Sequence, residues 1–217
     1  MRYDRQIILP EIGEEGQKKL QEAKVLIVGV GGLGSPIALY LAGAGVGCLG
    51  LVDDDLVSIT NLQRQVLYSE KELGKPKAIC AAERLSALNS EIRIHPYSTR
   101  LTKENAYHII QEYDIVVDGC DNFATRYLIN DICIFEGQVS VFNYGNQKKN
   151  YRDLYPDEEE MQRMPPPPKG VMGVTPAIVG SVEATEVLKI ICDFGDVLAG
   201  ELWTIDLRTW QSNKFSL

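Results

Sequence analysis

The stretch Lys24-Val25-Leu26-Ile27-Val28-Gly29-Val30-Gly31-Gly32-Leu33-Gly34 decides the fold. Its first five residues form a continuous apolar run behind one lysine, the pattern of a parallel strand covered on both faces. The glycines follow at once, and residues 35–46 (SPIALYLAGAGV) suit a helix that opens at Ser35-Pro36 and ends near Gly45. A second apolar run, Cys48 to Val52, ends in Asp53-Asp54-Asp55 and completes a right-handed βαβ unit. Between strand and helix, Gly29, Gly31 and Gly34 form G-x-G-x-x-G, with Gly32 inside it. Glycine there permits a tight turn, and the amides of the helix N-terminus can meet a phosphate. Asp53 follows Gly34 by about 20 residues, the spacing of an acid that holds a ribose hydroxyl.

Outward from this unit the α/β alternation continues. Glu11 to Glu22 is helix-compatible and precedes the first strand. Downstream the pattern predicts a helix over Lys77–Leu88, a strand over Ile92–Tyr97, a helix over Lys103–Glu112 and a buried strand over Asp114–Asp118. Asn122 to Phe135 is helical, and Gly137 to Tyr144 alternates as a half-exposed strand does. Residues 146–175 break the composition, with a four-proline run at Pro165–Pro168 that marks a surface crossover loop. Pro176 to Cys192 returns to helical spacing, and Leu202–Leu207 with Trp210–Phe215 form a closing hairpin. The expected fold is a doubly wound, mostly parallel, Rossmann-like α/β sheet with an antiparallel C-terminal extension, one domain over residues 1–217.

Composition narrows the function. With 45% hydrophobic and 24% charged residues the chain is ordinary globular material. A formal net charge of −8 argues against a general polyanion binder, so nucleic acid is not the expected partner. No apolar run reaches the ~20 residues of a membrane span, and Met1 to Pro10 holds no signal-peptide core, so a cytoplasmic location is expected. The five cysteines include no C-x-x-C pair, which excludes a zinc-ribbon signature.

Two further clusters separate ATP chemistry from dinucleotide redox chemistry. Asn61-Leu62-Gln63-Arg64-Gln65 places a guanidinium just beyond the second strand, and Gly74-Lys75-Pro76-Lys77 opens the next helix with a lysine. Cleavage between α- and β-phosphates builds charge on departing pyrophosphate, which Arg64 and Lys77 can stabilise. An NAD-dependent oxidoreductase has no use for that pair, although a solvated basic face would also present it. Asp118-Gly119-Cys120-Asp121-Asn122 ends the fourth strand, where Asp121 can hold Mg²⁺ or simply cap a helix. Arg126 can join the phosphates or pair with an acid. Cys120 suits a small buried residue better than a nucleophile, because no base accompanies it.

Taken in order, Arg2-Tyr-Asp-Arg-Gln, Gly29-Val-Gly-Gly-Leu-Gly, Asn61-Leu-Gln-Arg-Gln, Gly74-Lys-Pro-Lys and Asp118-Gly-Cys-Asp-Asn resemble the ThiF/MoeB/HesA family of E1-like adenylyltransferases, nearly end to end. Gly137-Gln-Val-Ser-Val-Phe-Asn-Tyr and Tyr151-Arg-Asp-Leu-Tyr-Pro look most like its thiamine-biosynthesis branch. The resemblance implies an enzyme that takes MgATP and a small ubiquitin-like sulfur-carrier protein ending in Gly-Gly. The carrier's terminal carboxylate would become an acyl-adenylate, with release of pyrophosphate. By the same resemblance Gly29, Gly31, Gly32, Gly34, Asp53 and Asn122 would hold the nucleotide, Asn61, Arg64 and Lys77 its phosphates, and Asp121 the magnesium. Arg5 would reach the phosphates of the other subunit in a homodimer.

Three departures from the family accompany these matches. The two C-x-x-C pairs that hold structural zinc in related enzymes are missing, so no zinc is expected. Pro165 to Gly173 holds no cysteine for a thioester or persulfide step. Ile134-Phe135-Glu136 leaves no room for the parallel strand that similar proteins place before Gly137. Either the neighbouring strands close that gap, or the sequence joins segments that are not contiguous, which a Cα spacing far above 3.80 Å between Cys133 and Gly137 or between Pro168 and Met172 would reveal. The rival readings are a non-catalytic nucleotide-binding or dimer-scaffold subunit of the same fold and, in a different chemical class, the oxidoreductase.

Overall fold

The computed structural model describes residues 2–119, 136–146, 148–154, 156 and 171–217. Four parallel strands, β1 (Lys24–Val28), β2 (Cys48–Val52), β3 (Arg93–Tyr97) and β4 (Ile115–Asp118), lie in the order β3-β2-β1-β4. The chain thus moves outward from β1 through β2 to β3 and returns to the other side of β1, the reversal that opens a crevice at the strand C-termini. Val28 stands level with Val52 on one side and with Asp118 on the other, so three strand ends meet at that crevice.

Period-two alternation along β1 divides the core. Val25 and Ile27 pack with α2 (Gly13–Glu22), α3 (Gly34–Ala44), α4 (Lys77–Leu88) and the long C-terminal helix, through Leu20, Ile37, Leu41, Leu85 and Val179. Leu26 and Val28 face the opposite side, where Val52 and Ile109 of α5 (Ala106–Ile110) form a smaller cluster. Gly45 ends α3 in the left-handed region at φ 86°, as the sequence predicts.

Beyond β4, β5 (Glu136–Val139), β6 (Glu201–Asp206) and β7 (Gln211–Ser216) form a separate antiparallel sheet in the order β5-β6-β7. A short α6 (Tyr151–Leu154) lies in the crossover region, and α7 (Val174–Cys192) packs across α3 and α2. The close approach of α7 to α3 depends on Gly180, because a Cβ there would stand 2.7 Å from the carbonyl oxygen of Leu33. Among the described residues β4 pairs on one side only, and Val116 is 44% exposed.

The elements expected over Lys24–Val28, Cys48–Val52 and Lys77–Leu88 recur with those ends, and others among the described residues recur with shifted ones. The helix expected over Lys103–Glu112 contracts to α5 because Asn105 turns its side chain on the local backbone, accepting from the Thr102 amide and donating to the Arg100 carbonyl. The strand expected over Gly137–Tyr144 is β5 plus a single parallel bridge between Val141 and Ala199. The helix expected over Asn122–Phe135, the four-proline run and most of both junctions, 133–135 and 168–170, lie outside the described residues. No helix among the described residues is long and apolar enough to cross a membrane.

Candidate functional site

The glycine loop joins β1 to α3 at the crevice. Gly29 adopts φ 87°, a conformation that favours glycine, and its amide donates to the Val52 carbonyl at 2.7 Å. A Cβ on Gly34 would run into the Gly29 carbonyl, so this position too admits only glycine. At Gly119, just past β4, a Cβ would stand 2.6 Å from the same oxygen, which shows how closely the β4 end approaches the loop. Gly31 and Gly32 at the tip remain half-exposed while Leu33 and Gly34 are buried.

Two side chains, Asp53 and Tyr68, hold the loop in shape. The Val30 amide donates to Oδ2 of Asp53 at 2.9 Å, and Oδ1 of the same carboxylate accepts from the Asp55 amide at 2.9 Å. From the opposite side the Tyr68 hydroxyl donates to the Val30 carbonyl at 2.8 Å. Burial pushes the Asp53 carboxyl above its ordinary value, against the pull of the Asp55 amide, the Lys77 charge and the Val30 amide. Burial likewise raises the Tyr68 phenol, which therefore stays protonated as a donor.

Arg64 and Pro176 flank the tip. A Cβ on Gly32 would lie 3.4 Å from Arg64 Cδ and 3.4 Å from Pro176 Cβ, so the arginine stem crosses the loop. Its Nη1 donates to the Thr60 carbonyl at 3.2 Å. Asn61 ends a 3₁₀ turn (Ile59–Asn61); its side chain accepts from the Ser58 amide, and its carbonyl accepts from the amides of Arg64 and Gln65. Lys77 is almost wholly buried at the start of α4, and its ammonium pairs with Asp55 at 2.9 Å. Sequence patterning did not show Asp55 as that partner, because the pairing spans a long excursion.

Arg5 does not join this group within its own chain. It is exposed on α1 (Asp4–Ile7), and neighbouring Gln6 donates to the carbonyl of Ala44, the last residue of α3, at 2.7 Å. The glycine loop stands at the other end of α3, an 11-residue helix that spans roughly 16 Å. Cys120, Asp121, Asn122 and Arg126 lie outside the described residues. The chain enters that segment from Gly119, whose amide donates to Val28.

The carboxylates of Asp53, Asp54 and Asp55 lie within 4.8 Å of one another. They do not suit a dedicated cation cage, because each already has a partner. Backbone amides hold Asp53, Arg100 holds Asp54 at 3.1 Å and Lys77 holds Asp55.

The ThiF family profile matches residues 3–217. The sulfur carrier protein adenylyltransferase of Thermus thermophilus is 46% identical over 230 residues, covering 94% of this chain and 82% of that protein. The chain belongs to the ThiF family. Relatives named as adenylyltransferases run along its length, and the enzyme class is adenylyltransferase. The adenylyltransferase and sulfurtransferase MOCS3 of Danio rerio is 46% identical over 91% of this chain, which spans only 47% of that longer protein. The Thermus alignment is longer than the 217 residues of this ThiF-family chain, so that relative carries residues without a counterpart here. Among solved structures, that of E. coli MccB with ATP superposes with a TM-score of 0.80 at 22% identity, covering 100% of this chain and 70% of that one, a likeness of fold.

Proposed function

We propose that this ThiF-family enzyme uses ATP to adenylate the C-terminal Gly-Gly carboxylate of a small ubiquitin-like sulfur-carrier protein, in thiamine biosynthesis. The observation that carries the reading is the convergence of an open glycine loop, the Arg64 stem laid across it and the buried Lys77 on one sheet edge. The carrier as substrate is supported by the name of the Thermus relative, and the thiamine branch by Gly137 to Tyr144 and Tyr151 to Pro156.

Each residue has a task in this account. Amides around Gly29, Gly31, Gly32 and Gly34 receive phosphate oxygens at the N-terminus of α3. Asp53 accepts from the ribose, with Asn122 completing the nucleotide pocket. A carboxylate oxygen of the carrier attacks the α-phosphorus and forms a new P–O bond. The bond from the α-phosphorus to the bridging oxygen breaks, and pyrophosphate departs with that electron pair. Asn61, Arg64 and Lys77 stabilise the charge that gathers on the departing group. Lys77 is buried while the Asp55 side chain is 67% exposed, so the phosphates can take the ammonium as Asp55 turns to water. Magnesium held by Asp121 would neutralise phosphate charge when bound. Arg5 stands at the far end of α3, so in this account it serves the phosphates of a second copy, and a homodimer completes the site.

Incubation with ATP and a Gly-Gly carrier should add one adenylyl group to the carrier's C-terminus, detectable by intact-mass spectrometry. A carrier that keeps its original mass under quenched, single-turnover conditions would contradict the proposal.

A further inference from the structure

Gln65 has no task in the account above, and its surroundings are unusual. The residue is 3% exposed, on the turn that follows Asn61, and its amide donates to the Asn61 carbonyl while its own carbonyl accepts from Tyr68. Its backbone is satisfied. Its side chain is not, because Oε1 is fully buried without a hydrogen-bond partner among the described residues. Buried carboxamides in folded proteins are nearly always bonded, and this oxygen, an acceptor that a phosphate cannot satisfy, marks a side chain held at a cost so that its Nε2 end keeps its position. The Nε2 end points at the glycine loop, 3.5 Å from where a Cβ on Gly31 would stand. Arg64 and Gln65 therefore cover consecutive loop glycines, Arg64 over Gly32 and Gln65 over Gly31. Gly31 is the second glycine of G-x-G-x-x-G, where the missing side chain lets phosphate approach the backbone. A buried hydroxyl that also lacks a partner among the described residues, Ser35 Oγ, lies in the first turn of α3.

We infer that Gln65 is a nucleotide-binding residue whose carboxamide donates to a phosphate oxygen lodged on the Gly31 face of the loop. The inference rests on the proposed ATP chemistry and extends it by one binding group. A carboxamide suits this position better than a second cation. Through Nε2 it donates to phosphate without adding charge to the site. Its burial fixes the geometry before the nucleotide arrives, which reduces the ordering cost of binding.

The test compares wild type with Gln65→Met, a change that nearly conserves volume and removes both polar atoms, and with Gln65→Leu as a second variant. Titration calorimetry follows ATP, competition follows adenosine, and thermal unfolding is measured without nucleotide. The account predicts that ATP affinity falls about tenfold or more, as for loss of a hydrogen bond to a charged group. Adenosine affinity should stay within about twofold, and the melting temperature of the free protein should hold or rise, because the substitution removes the unmet Oε1 and no side-chain hydrogen bond to a described residue. Unchanged ATP affinity in a folded variant overturns the inference. So does an equal loss for ATP and adenosine, which would make Gln65 a general support of the pocket. A folded wild type that binds no ATP contradicts the proposed function itself, and this inference with it.

Discussion

The Tyr68 hydroxyl donates to the carbonyl oxygen of Val30 across 2.8 Å, tying the turn that bears Arg64 and Gln65 to the glycine loop. Asp53 holds the same residue from the other side through its amide. Both polar groups of the Val30 backbone are thus engaged by side chains, and the loop's shape depends on residues 23 and 38 positions away. Tyr68→Phe leaves the buried carbonyl without its donor. The variant should lose about 1 kcal/mol of stability and roughly 3 °C of melting temperature, and bind ATP more weakly. Thermal unfolding with and without ATP measures both effects. An unaltered melting temperature would show that the bond contributes nothing.

Lys77 combines burial with one exposed partner among the described residues, Asp55. Lys77→Met keeps most of the buried stem and removes the charge. Adenylation should fall by about 100-fold or more, while the melting temperature moves by only a few degrees. Parallel rate and unfolding measurements check this. A rate within a few-fold of wild type would remove Lys77 from the phosphate site.

Burial raises the Asp53 carboxyl above its ordinary value of 3.8. The sign follows from linkage: the folded state holds this proton more tightly than the unfolded chain, so ionisation of Asp53 costs stability. That contribution is greatest at low pH and is lost as pH rises from the unfolded toward the folded value. If Asp53 holds the ribose as proposed, nucleotide binding should depend on pH in the opposite sense, because the ionised carboxylate is the better acceptor for ribose hydroxyls. The KM for ATP should rise on acidification above pH 3.8, and Asp53→Asn should bind weakly at every pH without that limb. A pH profile of KM for both proteins decides the matter, and an identical limb in the variant assigns it to another group.

Much of this site is legible in the sequence, for identifiable reasons. A parallel strand covered on both faces must be apolar almost throughout, so β1 and β2 stand out with their observed ends, Lys24–Val28 and Cys48–Val52. Gly45 marks the end of α3 because few other residues accept its φ of 86°. Tertiary pairings leave no such mark. Nothing in residue patterning links Tyr68 to Val30 or Asp55 to Lys77, since each pair meets only after the 53–77 excursion has folded back. Gln65 lies inside the motif that points to phosphate chemistry, yet its unmet oxygen is visible only in three dimensions. The position of Arg5 likewise needed the packing of α1 on the C-terminal end of α3.

That position leads to a complementation experiment. Arg5→Ala and Arg64→Ala proteins should each be inactive, and mixing them should restore activity through heterodimers in which one of two sites is intact. With random subunit exchange, half the dimers are mixed, and recovery should reach about a quarter of wild-type activity. No recovery after exchange is verified would place Arg5 outside the partner's site.

The central claim, ATP-dependent activation of a carrier carboxylate, is tested most directly by exchange of labelled pyrophosphate into ATP. The account predicts label in ATP when a carrier ending in Gly-Gly is present, and none when the carrier lacks those two residues or is omitted. Exchange that ignores the carrier, or no exchange by a folded enzyme saturated with carrier and magnesium, would contradict it.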